Sequence, residues 1–364
     1  MPIVVCDLLS YTGTKGGMET YTRELYRALG TLETGIEFVG FASVEASGMD
    51  LSWFPGRTVN SGISGENRVA WARGELFAVS KFAKSVGADL IHSPASLGPM
   101  RSKIPVVLTL HDVMYWSHPE MMTTPLYTEP VKWMETRATK NAARVITISE
   151  FSKSEIQRFM RIPDERIDVI PLAGARPTER PRSVVPDQTP YILATGNRRP
   201  HKNWDGLIRG LARVDEAIRP RLVITGSHGT EDPLRAVVAE TGMADWVDLR
   251  GWLSAEELGE LYEHATALGL VSFVEGFGLP ALEAMMIGLP AILSDIPAFR
   301  EICGDDAVYA DPSSVDSIAA AITRLMTDPA LAAHLAEVGP KRAAQYSWPR
   351  VAERTLEVFR RELG

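Results

Sequence analysis

The sequence predicts an α/β fold of two doubly wound parallel-sheet domains that face each other across a cleft. Three observations support this prediction. Short β-branched runs alternate with longer amphipathic segments, a proline-rich stretch interrupts the alternation near the middle, and the alternation then starts again. Such alternation is typical of parallel sheets covered by helices on both faces. A length of 364 residues gives each domain enough chain to bury a core.

The strand predictions follow the apolar, β-branched runs. In the first half these runs are residues 3–8, 36–41, 89–92, 106–110, 144–148 and 167–170, and in the second half 191–195, 221–225, 247–250, 267–273, 291–293 and 307–309. Helical periodicity lies between many of them, at residues 19–32, 67–86, 149–160 and 255–264. Residues 42–64 are rich in glycine and serine, and we expect a long loop there.

The proline-rich stretch at residues 172–190 predicts the domain boundary. It carries four prolines and three arginines, and proline at this density ends regular structure and gives a semi-rigid connector. We therefore expect an N-terminal domain at residues 1–174 and a C-terminal domain at residues 187–346. Ligands of open α/β sheets bind beyond the carboxyl ends of the strands, so two facing sheets would offer a site for two substrates.

Composition narrows the classes of function. A net charge of −8 argues against general nucleic-acid binding, which needs a basic surface. The only cysteines, Cys6 and Cys303, lie far apart without metal-ligand spacing, which favours a reducing, cytoplasmic compartment. The apolar residues 1–9 lack a basic region and a cleavage site, so we expect a first strand rather than a signal peptide. No apolar run approaches the roughly 20 residues that span a bilayer, so any membrane contact is expected to be peripheral.

The strongest functional signal lies in residues 271–285. A buried strand is expected to end near Val274, and a helix that carries Glu283 follows it. The loop between them and the start of the helix consist of Glu275, Gly276, Phe277, Gly278, Leu279 and Pro280. The glycines let backbone approach a ligand, and the helix N-terminus favours a diphosphate. Glu283, about one turn into the helix, can accept two hydrogen bonds from a vicinal diol such as ribose. Glu275 precedes the turn, within reach of a sugar beside the phosphates.

Two other interpretations of this segment stay open. The two glutamates could be an ordinary capping acid and an ordinary helix-surface acid. Gly276-x-Gly278-x-x-Ala281 also matches a dinucleotide-binding fingerprint, with Asp295 about 20 residues further on. Against the second interpretation, that fingerprint normally opens the first βαβ unit of its domain, whereas this one lies deep inside the second domain.

The string from Glu275 to Glu283, followed by Ala-Met, resembles the E-x7-E signature of retaining glycosyltransferases of family 4, a mannosyltransferase-like family with the GT-B fold. The resemblance covers nearly the full chain, and several motifs match in the expected order. It implies two facing Rossmann-like domains, a nucleotide-sugar donor held mainly by the C-terminal domain, an acceptor on the N-terminal side, and no metal or cofactor. It also implies a final helix, residues 347–364, that packs back on the first domain.

The resemblance assigns tasks to individual residues. It implies that Glu283 holds the ribose, and that Glu275 with the Gly276 and Phe277-to-Leu279 backbone holds the donor sugar. Lys202 resembles the family's phosphate lysine, and a fixed cation beside a diphosphate neutralises charge that grows as the donor bond breaks. Many members place an arginine directly after the preceding glycine, where this chain has Asn197. Arg198 or Arg199 is therefore expected to supply the second positive charge.

Three segments of the first domain also match the family. The glycine-rich turn at residues 13–21 resembles its GG-x-E loop, and we expect Gly16 and Gly17 to contact donor phosphate or acceptor. His111, at a predicted strand end, resembles the histidine that touches the donor sugar. Residues 114–122 are aromatic and rich in methionine, which fits either an acceptor pocket or an adaptable core.

These motifs predict transfer of a hexose, with mannose favoured, from a nucleotide diphosphate sugar to a glycan or lipid-linked acceptor. GDP-mannose is the preferred donor, with UDP-glucose open. Both motif acids are assigned to the donor, so we expect a front-face displacement that retains configuration, with His111, Lys202 and Glu275 at the reacting sugar. The alternatives are a nucleotide-sugar epimerase of similar fold, an NAD-dependent oxidoreductase and a non-catalytic sugar-binding protein.

Overall fold

The computed structural model describes residues 1–14, 16–121, 125–183, 189–226 and 231–364, without the side chains of residues 125–127. The chain divides into two compact units. The first contains Met1–Leu172 and Ser347–Gly364, and the second contains Ala173–Tyr346. Pro186 of the predicted connector and Met122 of the aromatic segment lie outside the described residues.

The first unit is built on a seven-stranded parallel sheet. Its strands are β1 (Ile3–Leu8), β2 (Glu37–Ala42), β3 (Arg57–Asn60), β4 (Leu90–Ser93), β5 (Val106–Thr109), β6 (Arg144–Thr147) and β7 (Ile167–Val169). They lie in the order β3-β2-β1-β4-β5-β6-β7. The helices along this part of the chain are α1 (Gly17–Leu29), α2 (Arg68–Arg73), α3 (Val79–Ser85), α4 (Met114–Ser117), α5 (Pro125–Asn141) and α6 (Glu150–Met160).

The second unit is built on a six-stranded parallel sheet. Its strands are β8 (Tyr191–Thr195), β9 (Arg221–Thr225), β10 (Val247–Leu249), β11 (Ala267–Leu270), β12 (Ala291–Ser294) and β13 (Val308–Ala310), in the order β10-β9-β8-β11-β12-β13. Its helices are α7 (Trp204–Ala212), α8 (Leu234–Glu240), α9 (Ala255–His264), α10 (Leu279–Met286), α11 (Pro297–Cys303), α12 (Val315–Thr327) and α13 (Pro329–Ala343).

The final helix, α14 (Trp348–Leu363), belongs to the first unit and packs against α1. Its apolar side chains recur at three- and four-residue spacing and form a buried stripe that includes Val351, Leu356 and Phe359. The Phe359 ring packs edge-on against the buried His92 ring at the centre of the sheet. Among the described residues, no helix is both long enough and apolar enough to cross a bilayer.

Both sheets reverse their strand order once, and these reversals locate the sites. Strands are added in one direction from β1 to β3 and in the other from β4 to β7; in the second unit the reversal lies between β8 and β11. Loops on the two sides of such a reversal separate and leave a crevice at the carboxyl ends of the strands. The predicted α/β fold with two doubly wound parallel sheets is confirmed.

One local prediction was wrong. The expected loop at residues 42–64 contains the edge strand β3, whose sequence Arg-Thr-Val-Asn has no apolar run because the strand is mostly exposed. It pairs with β2 alone, and Gly56 lets the chain pass against β2, since a β-carbon there would lie 2.0 Å from the Phe38 carbonyl oxygen. The helical segment expected at residues 67–86 is confirmed at residues 68–85, and it includes a π-helical segment, Gly74–Ala78, that the sequence did not indicate.

Candidate active site

The strand reversal of the second unit brings Lys202 and Glu275 together. Lys202 ends the short 3-10 turn Pro200–Lys202 that follows β8, and Glu275 lies in the loop after β11. The Lys202 Nζ lies 2.7 Å from the Glu275 Oε1, and the two side chains are only 15% and 11% exposed. The Ser272 hydroxyl donates a second hydrogen bond, of 2.7 Å, to the same oxygen. The loop after β8, which carries Lys202, and the loop after β11, which carries Glu275, therefore form one charged site.

Backbone and amide hydrogen bonds fix these two loops to each other. The Phe273 N–H donates to the His201 carbonyl at 2.8 Å. Asn203 adopts a left-handed conformation with φ of 55°, and its side-chain amide donates to the carbonyls of Val271 and Pro312. Asparagine tolerates this backbone conformation better than most residues. The position of Lys202 is thus set by rigid neighbours, as preorganised charge stabilisation requires.

The charge state of Glu275 follows from its partners. Burial alone would raise the pKa of this carboxyl, but the Lys202 ammonium and the Ser272 hydroxyl outweigh burial and hold the pKa below its ordinary value. Glu275 is therefore ionised at neutral pH, and the pair carries no net charge. A diphosphate that reached Lys202 would find a cation already oriented and already desolvated.

The loop after Glu275 presents backbone rather than side chains. Gly278 is the N-cap of α10 with φ of 101°, and a β-carbon there would lie 2.5 Å from the Phe299 ring, so both conformation and space require glycine. Phe277 turns inward and its ring packs edge-on against Tyr346. At the start of α10, Pro280 has no N–H and the Ala281 N–H donates to the Gly278 carbonyl at 3.0 Å, so the helical N–H left for a ligand is that of Leu279, where the helix dipole adds partial positive charge.

Glu283 lies on α10, half-buried, with its Cγ 3.4 Å from where a β-carbon would stand on Gly174. Burial raises the pKa of Glu283 to about 7, although hydrogen bonds from the Ala175 N–H and the Tyr262 hydroxyl favour the ionised form and offset part of that rise. These two hydrogen bonds therefore do not fully compensate for burial of the ionised carboxylate, and further hydroxyl donors would stabilise it. This environment fits a carboxylate that accepts hydrogen bonds from two hydroxyl groups of a ligand.

The structure separates the two candidate arginines. The Arg198 side chain is 3% exposed and forms an ion pair of 3.0 Å with Asp232, which is 2% exposed. Its remaining N–H groups donate to the carbonyls of Gly196, Ile224, Thr225 and Arg250. Arg198 therefore joins the ends of β8, β9 and β10 and is not available to a diphosphate, which corrects its inclusion among the predicted donor contacts. Arg199 is exposed.

In the first unit, the glycine-rich turn is closed by an acid. Gly16 is the N-cap of α1 with φ of 62°, and Gly17 is the first residue of the helix. The Glu19 carboxylate accepts hydrogen bonds from the backbone N–H groups of Thr12 at 2.5 Å and Gly13 at 2.9 Å. The acid of the GG-x-E motif thus holds the turn, a task that the sequence interpretation did not assign.

His111 follows β5 and is almost fully buried. Its Nε2 lies 2.9 Å from the Pro94 carbonyl oxygen, and because a carbonyl only accepts, Nε2 carries the proton. The ring packs edge-on against Tyr21, with centroids 4.9 Å apart. Burial lowers the pKa of His111, so the imidazole is neutral and Nδ1 is an acceptor. Its predicted contact with the donor sugar stays a prediction.

Sequence reasoning missed several buried carboxyls of the first unit. Asp7 lies within β1 and Glu75 within the π-helical segment, and both are nearly inaccessible to solvent. Glu135 on α5 is buried as well, and burial together with Asp112 raises its pKa well above the ordinary value. The one available signal was the position of Asp7 inside an otherwise apolar strand.

The aromatic segment at residues 114–121 is partly explained by packing. Trp116 of α4 packs against the core cluster that includes Leu108 and Ile156, and its ring stacks on Phe159. This contact favours the core interpretation for Trp116, while the acceptor pocket stays a prediction. Within the described ranges, no three His, Cys, Asp or Glu residues are arranged to hold a metal ion. Metal independence also stays a prediction.

Comparison with known proteins agrees with this geometry. The family model for glycosyltransferase family 4 matches residues 15–173, and the model for glycosyl transferases group 1 matches residues 175–342. O-antigen chain mannosyltransferase B of Escherichia coli is 30% identical over 286 residues, 74% of each chain. The MMP α-(1→4)-mannosyltransferase of Mycolicibacterium hassiacum is 27% identical, covering 76% of this chain and 71% of the relative.

A solved structure shows the same fold. Anabaena HepE, determined in complex with UDP-glucose, superimposes with a TM-score of 0.74 at 17% identity and covers 99% of both chains. The dinucleotide fingerprint at Gly276 is then a coincidence of glycine spacing in a different family. From the two family models, the E. coli relative and the shared fold, we conclude that this chain belongs to glycosyltransferase family 4 and is a glycosyltransferase of the GT-B fold.

Proposed function

We propose that this glycosyltransferase moves a mannosyl-type hexose from a nucleoside diphosphate sugar, GDP-mannose in the first instance, to a glycan or lipid-linked acceptor. The transfer retains the anomeric configuration and needs no metal. The observation that carries the proposal is the buried Lys202–Glu275 pair beside the N-terminus of α10. It gathers in one place a cation and the positive end of a helix dipole for a diphosphate, and a carboxylate for sugar hydroxyls.

The diphosphate is proposed to bind at Lys202, Arg199 and the start of α10. Lys202 is oriented by its ion pair with Glu275, and Arg199 is the exposed arginine of the same loop. As the bond between the anomeric carbon and the phosphate oxygen breaks, negative charge grows on that oxygen. Fixed cations and N–H groups stabilise this charge, which is the task that a metal ion performs in other transferases.

The two motif glutamates are proposed to hold the donor at its two ends. The Glu275 carboxylate accepts hydrogen bonds from the sugar hydroxyls, and backbone N–H groups of residues 276–279 donate hydrogen bonds to them. Glu283 accepts both ribose hydroxyls, which requires its ionised form. Because the pKa of Glu283 is raised to about 7, ribose binding draws this carboxyl into the ionised state.

The chemical step that we propose is a front-face displacement. The acceptor oxygen forms a bond to the anomeric carbon on the face from which the diphosphate oxygen leaves. The acceptor proton passes to that departing oxygen. Since Glu275 is paired with Lys202 and Glu283 is assigned to the ribose, neither is a nucleophile in this scheme. His111 is neutral and is proposed to accept a hydrogen bond from a donor-sugar hydroxyl at Nδ1.

The relatives support the choice of sugar. Two of them are named as mannosyltransferases, and one name refers to an O-antigen chain, which favours polysaccharide biosynthesis. HepE was solved with UDP-glucose, so UDP-glucose is the second candidate donor. The described cysteines are buried and free, which supports a reducing, cytoplasmic location. A position at the inner face of the membrane is proposed from the lipid-linked acceptor.

The test is a thermal unfolding titration with GDP, UDP, dTDP, ADP and NAD in the presence of EDTA. We expect one nucleoside diphosphate, GDP first, to stabilise the protein by about 2.7 kcal/mol at a hundredfold excess over its Kd. Glu283→Ala should abolish this stabilisation, and Glu260→Ala, an exposed acid on α9, should not. Transfer from the matching sugar nucleotide to acceptor lipid extract is then followed, with the anomeric product read by NMR.

Each part of the proposal can fail separately. Stabilisation by UDP alone would replace GDP-mannose with a uridine donor. Stabilisation only when EDTA is omitted and Mg²⁺ is added would overturn metal independence. An inverted anomeric centre would overturn the front-face step, and turnover of the sugar nucleotide without any acceptor would favour an epimerase.

A further inference from the structure

The longest helical stretch of the first unit presents an unusual surface to solvent. Along α2, the π-helical segment and α3, the exposed side chains include Val69, Arg73, Phe77, Lys81 and Lys84, here called the basic face. The first four are spaced by four residues, which aligns them on one side of a helix. Val69 is 70% exposed and Phe77 is 54% exposed. Two apolar side chains therefore stand in water among three cations.

The cations of the basic face are not neutralised by the protein. Within the described part of the chain, no carboxylate lies within ion-pair distance of Arg73, Lys81 or Lys84. The single acid between residues 68 and 85 is Glu75, and it is buried. In a chain with a net charge of −8, this stretch therefore carries a local excess of positive charge.

Two further cations extend the basic face. Residues 100–104 run beside the helix, because the Met100 N–H donates to the Leu76 carbonyl and Ile104 packs in the same core cluster as Phe82. Arg101 and Lys103 of this segment are exposed and likewise lack a described acidic partner. The surface thus gathers five cations around the Phe77 ring and the Val69 side chain.

The exposed apolar side chains are not required by the core. The inward side of this stretch is formed by Leu76, Val79 and Ala83, and Val79 and Ala83 pack with strand residues such as Val5 and Ile91. Phe77 points the other way, and more than half of its side chain is exposed to solvent. Cations that surround exposed aromatic and branched side chains are the pattern of a surface that lies on an anionic bilayer.

We propose that the basic face docks the first unit on an anionic phospholipid surface. The five cations contact lipid phosphates, and Phe77 and Val69 enter the headgroup boundary. This inference is independent of the proposed donor sugar, because it uses none of the residues assigned to the donor. It would bring the enzyme to the surface where a lipid-linked acceptor resides.

The test is co-sedimentation of the full-length protein with vesicles of phosphatidylcholine alone or of equal parts phosphatidylglycerol and phosphatidylcholine. We expect binding only to the anionic vesicles and weaker binding when NaCl is raised from 50 to 300 mM. The triple variant Arg73→Gln, Lys81→Gln, Lys84→Gln should bind about a hundredfold more weakly, since each charge near the surface contributes about 1 kcal/mol, a factor of about five. Phe77→Ser should weaken binding at both salt concentrations.

The matched control removes three exposed cations of the second unit that form no ion pair with a described residue, Arg221→Gln, Arg235→Gln and Arg324→Gln, and it changes the net charge equally. It should bind anionic vesicles as the parent does. Unchanged thermal unfolding and nucleotide-induced stabilisation in both triple variants exclude a folding defect. Absent binding to anionic vesicles, or equal losses in the two triple variants, would overturn the proposal. A concentration-dependent dimer that only the Arg73/Lys81/Lys84 variant loses, without vesicle binding, would assign the face to self-association instead.

Discussion

The buried charged groups at the carboxyl ends of the two sheets differ. One sheet has an acid paired with a cation, and the other has two acids side by side. In the second unit, the buried Glu275 is paired with Lys202, and the N-terminus of α10 lies beside them. In the first unit, Asp7 and Glu75 are buried together and form no ion pair with a described cation. Their hydrogen-bond donors include the Leu9 N–H, the Ser93 and Ser10 hydroxyls and the Trp71 indole N–H. Burial and the neighbouring Glu75 raise the pKa of Asp7 well above its ordinary value.

From this difference we expect the two units to bind different parts of the substrates. A diphosphate needs cations and N–H groups, and the second unit offers both in fixed positions. A buried pair of acids disfavours a second negative charge nearby but matches the hydroxyl groups of a sugar, which donate hydrogen bonds. We therefore expect the second unit to hold the donor diphosphate, and the turn at Gly16 and Gly17 to meet hydroxyls rather than phosphate.

The largest expected effect comes from breaking the charged pair of the second unit. Lys202→Met should lower the transfer rate about 10²- to 10³-fold, as loss of one preorganised charge-stabilising group does elsewhere. It also leaves Glu275 buried without its cation, so the folding free energy should fall by about 3–5 kcal/mol. The double variant Lys202→Met, Glu275→Gln should recover most of the stability and none of the activity. Initial-rate kinetics and urea unfolding measure the two effects.

Arg209→Met is the control for this experiment, because it breaks a solvent-exposed ion pair on α7 with Asp205 and Glu240. We expect no measurable loss of activity there. Two outcomes would contradict the proposed difference between the units. One is that the Lys202→Met variant keeps the parent's affinity for the nucleoside diphosphate. The other is that Asp7→Asn in the first unit weakens that affinity just as much.

The second prediction concerns the adjacent residues Arg198 and Arg199. We expect substitution of one to lower folding stability and substitution of the other to lower nucleotide affinity. Arg198→Met removes the partner of the buried Asp232 and should destabilise the protein by about 3–5 kcal/mol. Arg199→Met should leave thermal unfolding unchanged and weaken nucleoside diphosphate binding about tenfold, the loss of one charge-assisted hydrogen bond to a phosphate. Calorimetric titration at matched folded fractions checks both. The reverse pattern would return Arg198 to the site and remove Arg199.

The same arginines show where sequence reasoning stops. Both follow Asn197 in one loop, and nothing local distinguishes them. The distinction is made by Asp232, 34 residues away, and by carbonyls at the ends of three neighbouring strands. Likewise, Asp7 and Glu75 meet only because the π-helical segment turns Glu75 inward. Contacts across the fold, rather than residue type, decide which charged groups are buried.

What the sequence did predict rests on local chemistry. Buried parallel strands are continuous apolar runs, and those runs were found; the edge strand β3 was missed because an exposed strand need not be apolar. The loop around Gly278 was recognised because its glycines are required by a left-handed turn and by the Phe299 ring. The pKa of Glu283 could not be anticipated, since it depends on burial beside Gly174 and on hydrogen bonds from Ala175 and Tyr262.

The third prediction uses that pKa and has the smallest expected effect. If Glu283 must be ionised to accept the ribose hydroxyls, donor binding is linked to loss of a proton from a group with a pKa of about 7. Affinity should then rise about tenfold from pH 6 to pH 8 and level off above, because only the ionised fraction binds. In the free protein, folding stability changes with pH in the direction opposite to donor affinity. Because the pKa of the Glu283 carboxyl is raised, the folded state loses stability as pH increases through 7.

Glu283→Gln distinguishes this linkage from titration of the nucleotide itself. The variant should bind nucleoside diphosphate more weakly. The pH dependence of its binding should be only that of the ligand's own phosphate. Its folding stability should exceed that of the parent at pH 8 but not at pH 5. Glu260→Gln on α9 should keep the parent profile. A ligand that lacks the ribose, inorganic pyrophosphate, should bind both proteins with the same pH dependence, because its contacts end at Lys202 and α10. If pyrophosphate binding followed the parent's Glu283-dependent profile, the carboxyl would act on the phosphates and the proposed ribose contact would be wrong.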